Sequence, residues 1–240
     1  MFWRKRTLTL EQQLINALAA KDLKEVSRLL DAGASPDACD PTGVPALAIA
    51  ASSQWLDAVQ TLVAHGADVN VIVTAKDRGI QNAPVLNLPS SNGAVSIVST
   101  LIKAGADVNA VDATGLTAIM SASYMGHTEV VALLLAHGAQ VEQVDEGGYT
   151  ALMFASNAGY AQVVRVLLEA GANPNATDSQ ASTPLMFAAQ HGFDQVVEIL
   201  IQVGAQSTVR GRHGLSAIEF ARQNGHTSTL RLLNASVAGE

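Results

Sequence analysis

The dipeptide Gly-Ala recurs at a fixed interval. It stands at Gly33-Ala34, Gly66-Ala67, Gly105-Ala106, Gly138-Ala139, Gly171-Ala172 and Gly204-Ala205, with steps of 33, 39, 33, 33 and 33 residues. A period of this length marks stacked supersecondary units, each burying its apolar face against its neighbours. The 240 residues therefore count repeats along an array, and no single central core is required. Such a stack offers a long surface and seldom a cleft, which inclines the function toward binding.

Residues Asp112 to Ala139 spell out one unit. Thr117 can cap a helix through its hydroxyl, and helix A is expected from Ala118 to Met125, ending near Gly126. Helix B follows from about Thr128 to His137, with Val130, Val131, Leu134 and Leu135 on one face at helical spacing. Gly138 supplies the left-handed conformation that stops it. The polar stretch Gln140 to Gly148 then projects as a hairpin-like finger. Thr183-Pro184 repeats the helix start with proline in the first helical position, where its missing N–H costs nothing. Helices this short are marginal alone and must be held by neighbours. Helix A keeps a small residue in one column, Ala17, Ala50, Ala122, Ala155, Ala188 and Ala221, so that layers can approach closely. Aromatics are 4% of the chain, so the interior is built from small aliphatic side chains.

The motifs Thr183-Pro184-Leu185-Met186-Phe187-Ala188-Ala189, Gly126-His127-Thr128-Glu129-Val130-Val131 and Gly105-Ala106-Asp107-Val108-Asn109-Ala110 resemble the ankyrin repeat, over roughly residues 10 to 233. The resemblance implies an all-α solenoid of helix–turn–helix units with projecting fingers. It further implies binding of another protein through finger tips and inner helices, with no cofactor and no inherent catalysis. Seven units are expected, starting near residues 12, 45, 84, 117, 150, 183 and 216, in one domain over 10–236 behind a basic, aromatic arm at 1–9.

Three departures stand out. The helix A slot that usually holds histidine in the family carries Met120, Met153 and Met186, either as filling between stacked helices or as a metal site or promiscuous hydrophobic groove. The finger over 71–83 is six residues longer than the others, and Lys76 and Arg78 lie in it. It is either a dedicated contact loop or a tolerated insertion. Pro89 falls where every other helix A has alanine, so that helix should be short, kinked or lost, and Pro89→Ala should raise stability.

The net charge of −7 argues against nucleic acid as partner. From Asp112 to Gly204 there are nine acidic residues and one basic residue, Arg165. Cys39 is the sole cysteine, which fits a reducing compartment and a cytoplasmic location. No run approaches the roughly 18 apolar residues that span a bilayer, so stable membrane insertion is not expected. The six histidines follow repeat positions without the i, i+4 spacing of a zinc site. Phosphate-binding glycine loops and a G-x-S-x-G elbow are absent from the sequence, so no metal, cofactor or catalytic residue is assigned.

Partner contacts are placed where residues support no stacking. The column before each helix A reads Val44, Leu116, Tyr149, Ser182 and Leu215, and a finger column reads Val111, Val144, Thr177 and Arg210. The turn after helix A adds Tyr124, Met125, Asn157, Gln190 and His191. Arg210, Arg212 and His213 make the last finger basic. Val111, Leu116, Tyr124, Met125, Val144 and Tyr149 are expected to form one apolar patch, which marks an interaction site. On this reading Tyr149→Ala with Leu116→Ala leaves the melting midpoint unchanged. The expected function is a monomeric protein-binding module: a scaffold, adaptor or inhibitor. The alternative is a chaperone-like holder of an apolar client segment.

Overall fold

The computed structural model describes residues 8–75 and 80–238. Two compact units divide between Ala113 and Thr114. The first contains α1 (Leu10–Ala19), α2 (Leu23–Asp31), α3 (Ala46–Ser52), α4 (Leu56–Ala64), β1 (Ile72–Ala75), β2 (Ile80–Pro84), α5 (Asn87–Ser91) and α6 (Val95–Lys103). The second contains α7 (Ala118–Tyr124), α8 (Thr128–Ala136), α9 (Ala151–Ala158), α10 (Ala161–Glu169), α11 (Pro184–His191), α12 (Asp194–Gln202), α13 (Ala217–Gln223) and α14 (Thr227–Ala238). Consecutive helices pack as pairs, and within each unit like helices stack from pair to pair. In the second unit α7, α9, α11 and α13 make one layer, backed by α8, α10, α12 and α14. The all-α repeat solenoid implied by the sequence is the observed architecture.

Local chemistry sets the helix boundaries. The Thr117, Thr150 and Thr183 hydroxyls accept from the amides of Met120, Met153 and Met186 at 3.4, 3.3 and 3.3 Å, satisfying donors that the first turn leaves orphaned. Thr9 and Ser216 form full capping boxes with Gln12 and Glu219. The alanine column is buried as the spacing requires. The three methionines are buried as well, so they fill the space between layers and do not form a groove.

Neighbouring units are also joined by polar bonds. The Asn175 side chain accepts from the Gln206 amide at 2.9 Å and donates to the Gly204 carbonyl at 3.2 Å. Asn70 makes the same two bonds with Asp107 and Gly105. Each asparagine pins the loop after the next helix pair.

The described parts of the long finger form an antiparallel strand pair. β1 and β2 pair antiparallel, with Ile72 opposite Pro84, Val73 opposite Ala83 and Ala75 opposite Ile80, and an irregularity between Val73 and Ala75. Val73 is buried, and the Thr74 hydroxyl donates to the Asn82 side-chain oxygen at 2.9 Å.

α5 is five residues long, in line with the expected effect of Pro89. The helix begins two residues later than its counterparts, so Pro89 sits in its first turn. There the absent N–H breaks no intrahelical bond. Val85 and Leu86, which would have been the first helical residues, form a turn and stay buried.

Candidate protein-binding face

Three fingers are closed by an aspartate acting as a local acceptor. Asp145 Oδ1 accepts from the amides of Gly147 and Tyr149 at 2.9 and 2.8 Å. Asp178 Oδ1 accepts from Gln180 and Ser182 at 2.9 and 2.7 Å. Asp40 does the same for Thr42 and Val44 in the first unit. These side-chain bonds fix the turn and aim the residue just ahead of the next helix. Successive fingers of the second unit are then joined by backbone bonds: Glu146 N to Thr114 O at 2.9 Å, Ser179 N to Gly147 O at 2.9 Å, and Arg212 N to Gln180 O at 2.8 Å.

This framework holds Tyr149 between two phenylalanines of the stacked inner helices. Its ring lies 5.5 Å from Phe154 on α9 and 5.3 Å from Phe187 on α11, both tilted by about 35°. Tyr124, at the end of α7, meets Phe154 edge-on at 6.0 Å. The result is a continuous row, Tyr124–Phe154–Tyr149–Phe187, with spacings that favour ring–ring attraction. Tyr124 is half exposed, and the other three are partly exposed. Burial first, then the Asp178 carboxylate, then Asp145, push the Tyr149 phenol above its ordinary value.

The sequence-derived contact residues fare unequally. Tyr124, Met125 and Val144 are exposed on the second unit, at 50, 48 and 49% of their full surface, and Val111 is exposed on the first. Leu116 and Leu215 are half-buried. Val44, placed in the groove-facing column, is interior at 5% exposure, because its amide is tied to Asp40 and its side chain turns into the stack. Asn157 is half-buried and its Oδ1 accepts from His191 Nε2 at 3.1 Å, while Gln190 is exposed and offers its carbonyl to His226 Nε2 at 3.0 Å. The His191 ring stacks on Phe193 at 5.6 Å.

The last finger is less basic than its composition suggests. Arg210 donates to Glu219 at 2.6 Å and to the Gly214 carbonyl, so its charge is matched within the unit. Arg212 and His213 remain exposed. The Ser216 hydroxyl and amide, then Arg210, hold the Glu219 carboxyl down at about 2. Lys76 and Arg78 lie outside the described residues, as does the arm Phe2-Trp3-Arg4-Lys5-Arg6.

Phe154 and Phe187 were not among the sequence candidates. Their signal is present in the sequence: Phe154, Phe187 and Phe220 recur at steps of 33, one residue before the alanine column. Read as helix positions they look like core, and only the packing shows that the rings reach the surface beside Tyr149.

Family comparison agrees with this architecture. A family model of ankyrin repeats in three copies matches residues 14–112 and 86–178, and one of ankyrin repeats in many copies matches 156–201. The chain is an ankyrin-repeat protein. Repeats of this family are in general protein-interaction modules without enzymatic activity. A stretch of 80 residues is 42% identical to a Bos taurus protein named mitochondrial disaggregase, covering 30% of this chain and 12% of that protein. The match thus spans about an eighth of the relative's length. Among the described residues no helix is long and apolar enough to cross a membrane, and no cluster of three or more His, Cys, Asp or Glu could hold a metal ion.

Proposed function

We propose that this ankyrin-repeat chain is a scaffold, adaptor or inhibitor that binds one partner protein on the inner-helix and finger face of its second unit. The observation that carries the reading is the continuous row of four partly exposed rings from Tyr124 to Phe187. Exposed aromatic surface held by a rigid frame is the usual composition of a binding hot spot. Met125, Val144, Leu116 and Leu215 extend the apolar contact, Asn157, Gln190 and His191 supply its polar edge, and Arg212, His213 and Arg210 orient the partner at the far finger. Val111, with Lys76 and Arg78 of the long finger, forms a further contact on the first unit. The chain acts as a monomer in the cytoplasm, without cofactor or chemistry, and its acidic surface excludes nucleic acid.

The test is affinity capture with the full chain, identification of the captured protein, and calorimetric titration of that protein. Tyr124→Ala should weaken the complex by about tenfold or more. An unchanged Kd would remove the ring row from the interface.

A chaperone-like holder is the second reading. It draws on the apolar character of the same face and on the partial likeness to a protein named as a disaggregase. This reading requires preferential binding of unfolded over native clients, and saturable binding of one native partner alone argues against it.

A further inference from the structure

The turns between paired helices of the second unit share one packing device. Each carries a glycine, and a ring from the next repeat rests against it. A Cβ on Gly126 would come within 2.6 Å of the Tyr160 ring, one on Gly159 within 2.9 Å of Phe193, and one on Gly192 within 2.6 Å of His226. Glycine is what lets each ring approach the backbone so closely.

The first unit breaks this pattern at one place. In the step of the repeat, Ala94 stands where Tyr160 and Phe193 stand, and Gln54 stands where Gly126 and Gly159 stand. The backbone at Ala94 is that of its counterparts: φ −80° and ψ 69°, against −83° and 80° at Tyr160 and −80° and 75° at Phe193. Its amide donates to the Pro89 carbonyl at 2.9 Å, as the Tyr160 amide does to Ala155 at 3.0 Å. What differs is the side chain. A cavity of about 390 Å³ opens between these two turns, bounded by Gln54, Leu56, Gly93, Ala94, Val95 and Ser96. Leu56, Ala94 and Val95 are half-buried and make its apolar wall, while Gln54 and Ser96 are exposed and make a polar rim. Its size falls within the usual range of small-ligand sites.

We propose that this cavity receives an aromatic side chain of a partner protein, tyrosine above all, in the place where the second unit seats rings of its own. Three rings of this chain fill the equivalent space, so the contour between successive turns suits a planar group. Gln54 has a Cβ where those turns have none, and a ring carried by residue 94 would strike it. A partner's ring is not tied to that backbone and can rest about an ångström further out, at van der Waals distance. The side-chain amide of Gln54 and the hydroxyl of Ser96 can bond a phenol at the rim. Tyrosine also supplies a large contact area at low cost in conformational entropy. The site belongs to the first unit and stands independently of the ring row.

The experiment titrates the isotope-labelled full chain with N-acetyl-L-tyrosinamide and, separately, with N-acetyl-L-leucinamide, following backbone amides by NMR. The tyrosine compound should move the amides of Gln54, Gly93, Ala94, Val95 and Ser96 saturably, with a Kd of about a millimolar. The leucine compound should bind about fivefold more weakly or less, because it lacks the planar face. Gln54→Gly lets the ring settle deeper and should tighten binding about threefold. Gln54→Gly with Ala94→Tyr rebuilds the arrangement of Gly126 and Tyr160; it should abolish binding at these amides and raise the melting midpoint. Tyr160→Ala opens the matching space at Gly126 and should add a second saturable set of shifts there. Absence of saturable shifts around Ala94, equal affinity for the two compounds, or undiminished binding in the double variant overturns the proposal. Should the double variant fail to fold, Gln54→Gly alone decides, and unchanged or weaker binding in it overturns the proposal.

Discussion

Tyr149 shows how one side chain can serve stability and recognition together. Its ring is wedged between Phe154 and Phe187, and its backbone amide is held by Asp145. This packing argues against the sequence expectation that Tyr149→Ala with Leu116→Ala leaves the melting midpoint unchanged. Truncating a half-buried ring with two ring neighbours should cost about 2 kcal/mol in urea unfolding, whereas Tyr149→Phe, which keeps the stack, should stay within about 1 kcal/mol. Tyr124 is the cleaner probe of binding: it is half exposed at a helix end, and its replacement by alanine should change stability by about 0.5 kcal/mol or less. A second residue-scale contrast concerns the turn between paired helices. Gly126 has φ +80°, and a Cβ there would come within 2.6 Å of the Tyr160 ring. The first unit places Gln54 at the corresponding point with φ 52°. Gln54→Gly should raise the thermal midpoint by relieving about 1 kcal/mol of left-handed strain, and Gly126→Ala should lower it.

At the scale of elements, the end of each helix is decided by its cap. α13 depends on the box between Ser216 and Glu219, which Arg210 reinforces. The folded Glu219 pKa of about 2 lies below its ordinary value of 4.5, so the carboxylate form is the stabilising one. That contribution is complete above about pH 4.5 and is lost as pH falls through about 2. Glu219→Gln should remove this part of the acid dependence, measured as the difference in thermal midpoint between pH 6 and pH 3. α5 illustrates the opposite case, a helix that begins late because of its sequence. Since Pro89 occupies its first turn, Pro89→Ala restores no hydrogen bond and removes a buried ring. Stability should fall by about 1 kcal/mol, contrary to the sequence expectation of a gain. The period, the caps, the alanine column and the weakened third helix A were all legible in the sequence, because each follows from interactions within a few residues. The pairing of β1 with β2, the interior position of Val44 and the partial exposure of Phe154 and Phe187 were not. Each depends on what the next repeat places alongside.

For the whole molecule, stability is spread along the stack. Each layer gains its burial from neighbours, so a helix with partners on both sides opens less readily than a terminal one. α9 and α11 each pack against like helices on both sides within the second unit, whereas α14 closes its layer. Hydrogen exchange should show the strongest protection in α9 to α12, declining through α13 and α14; uniform protection would mean the unit opens as a single cooperative block. The binding face draws on the same organisation. Its rings come from α7, α9, α11 and one finger, so loss of one layer removes the site as well as the packing.

The sequence by itself determined the repeat, the order of helices and the stopping points, because glycines, caps and apolar spacing act over short distances along the chain. It also fixed the acidic character of the second unit, since charge is additive and needs no coordinates. Only the tertiary structure decided which repeated side chains are interior and which are surface. A step of 33 residues returns a side chain to the same place in every unit, but whether that place faces solvent depends on the neighbouring layer. That is why two phenylalanines hidden in a helical pattern stand beside Tyr149 in the proposed docking face.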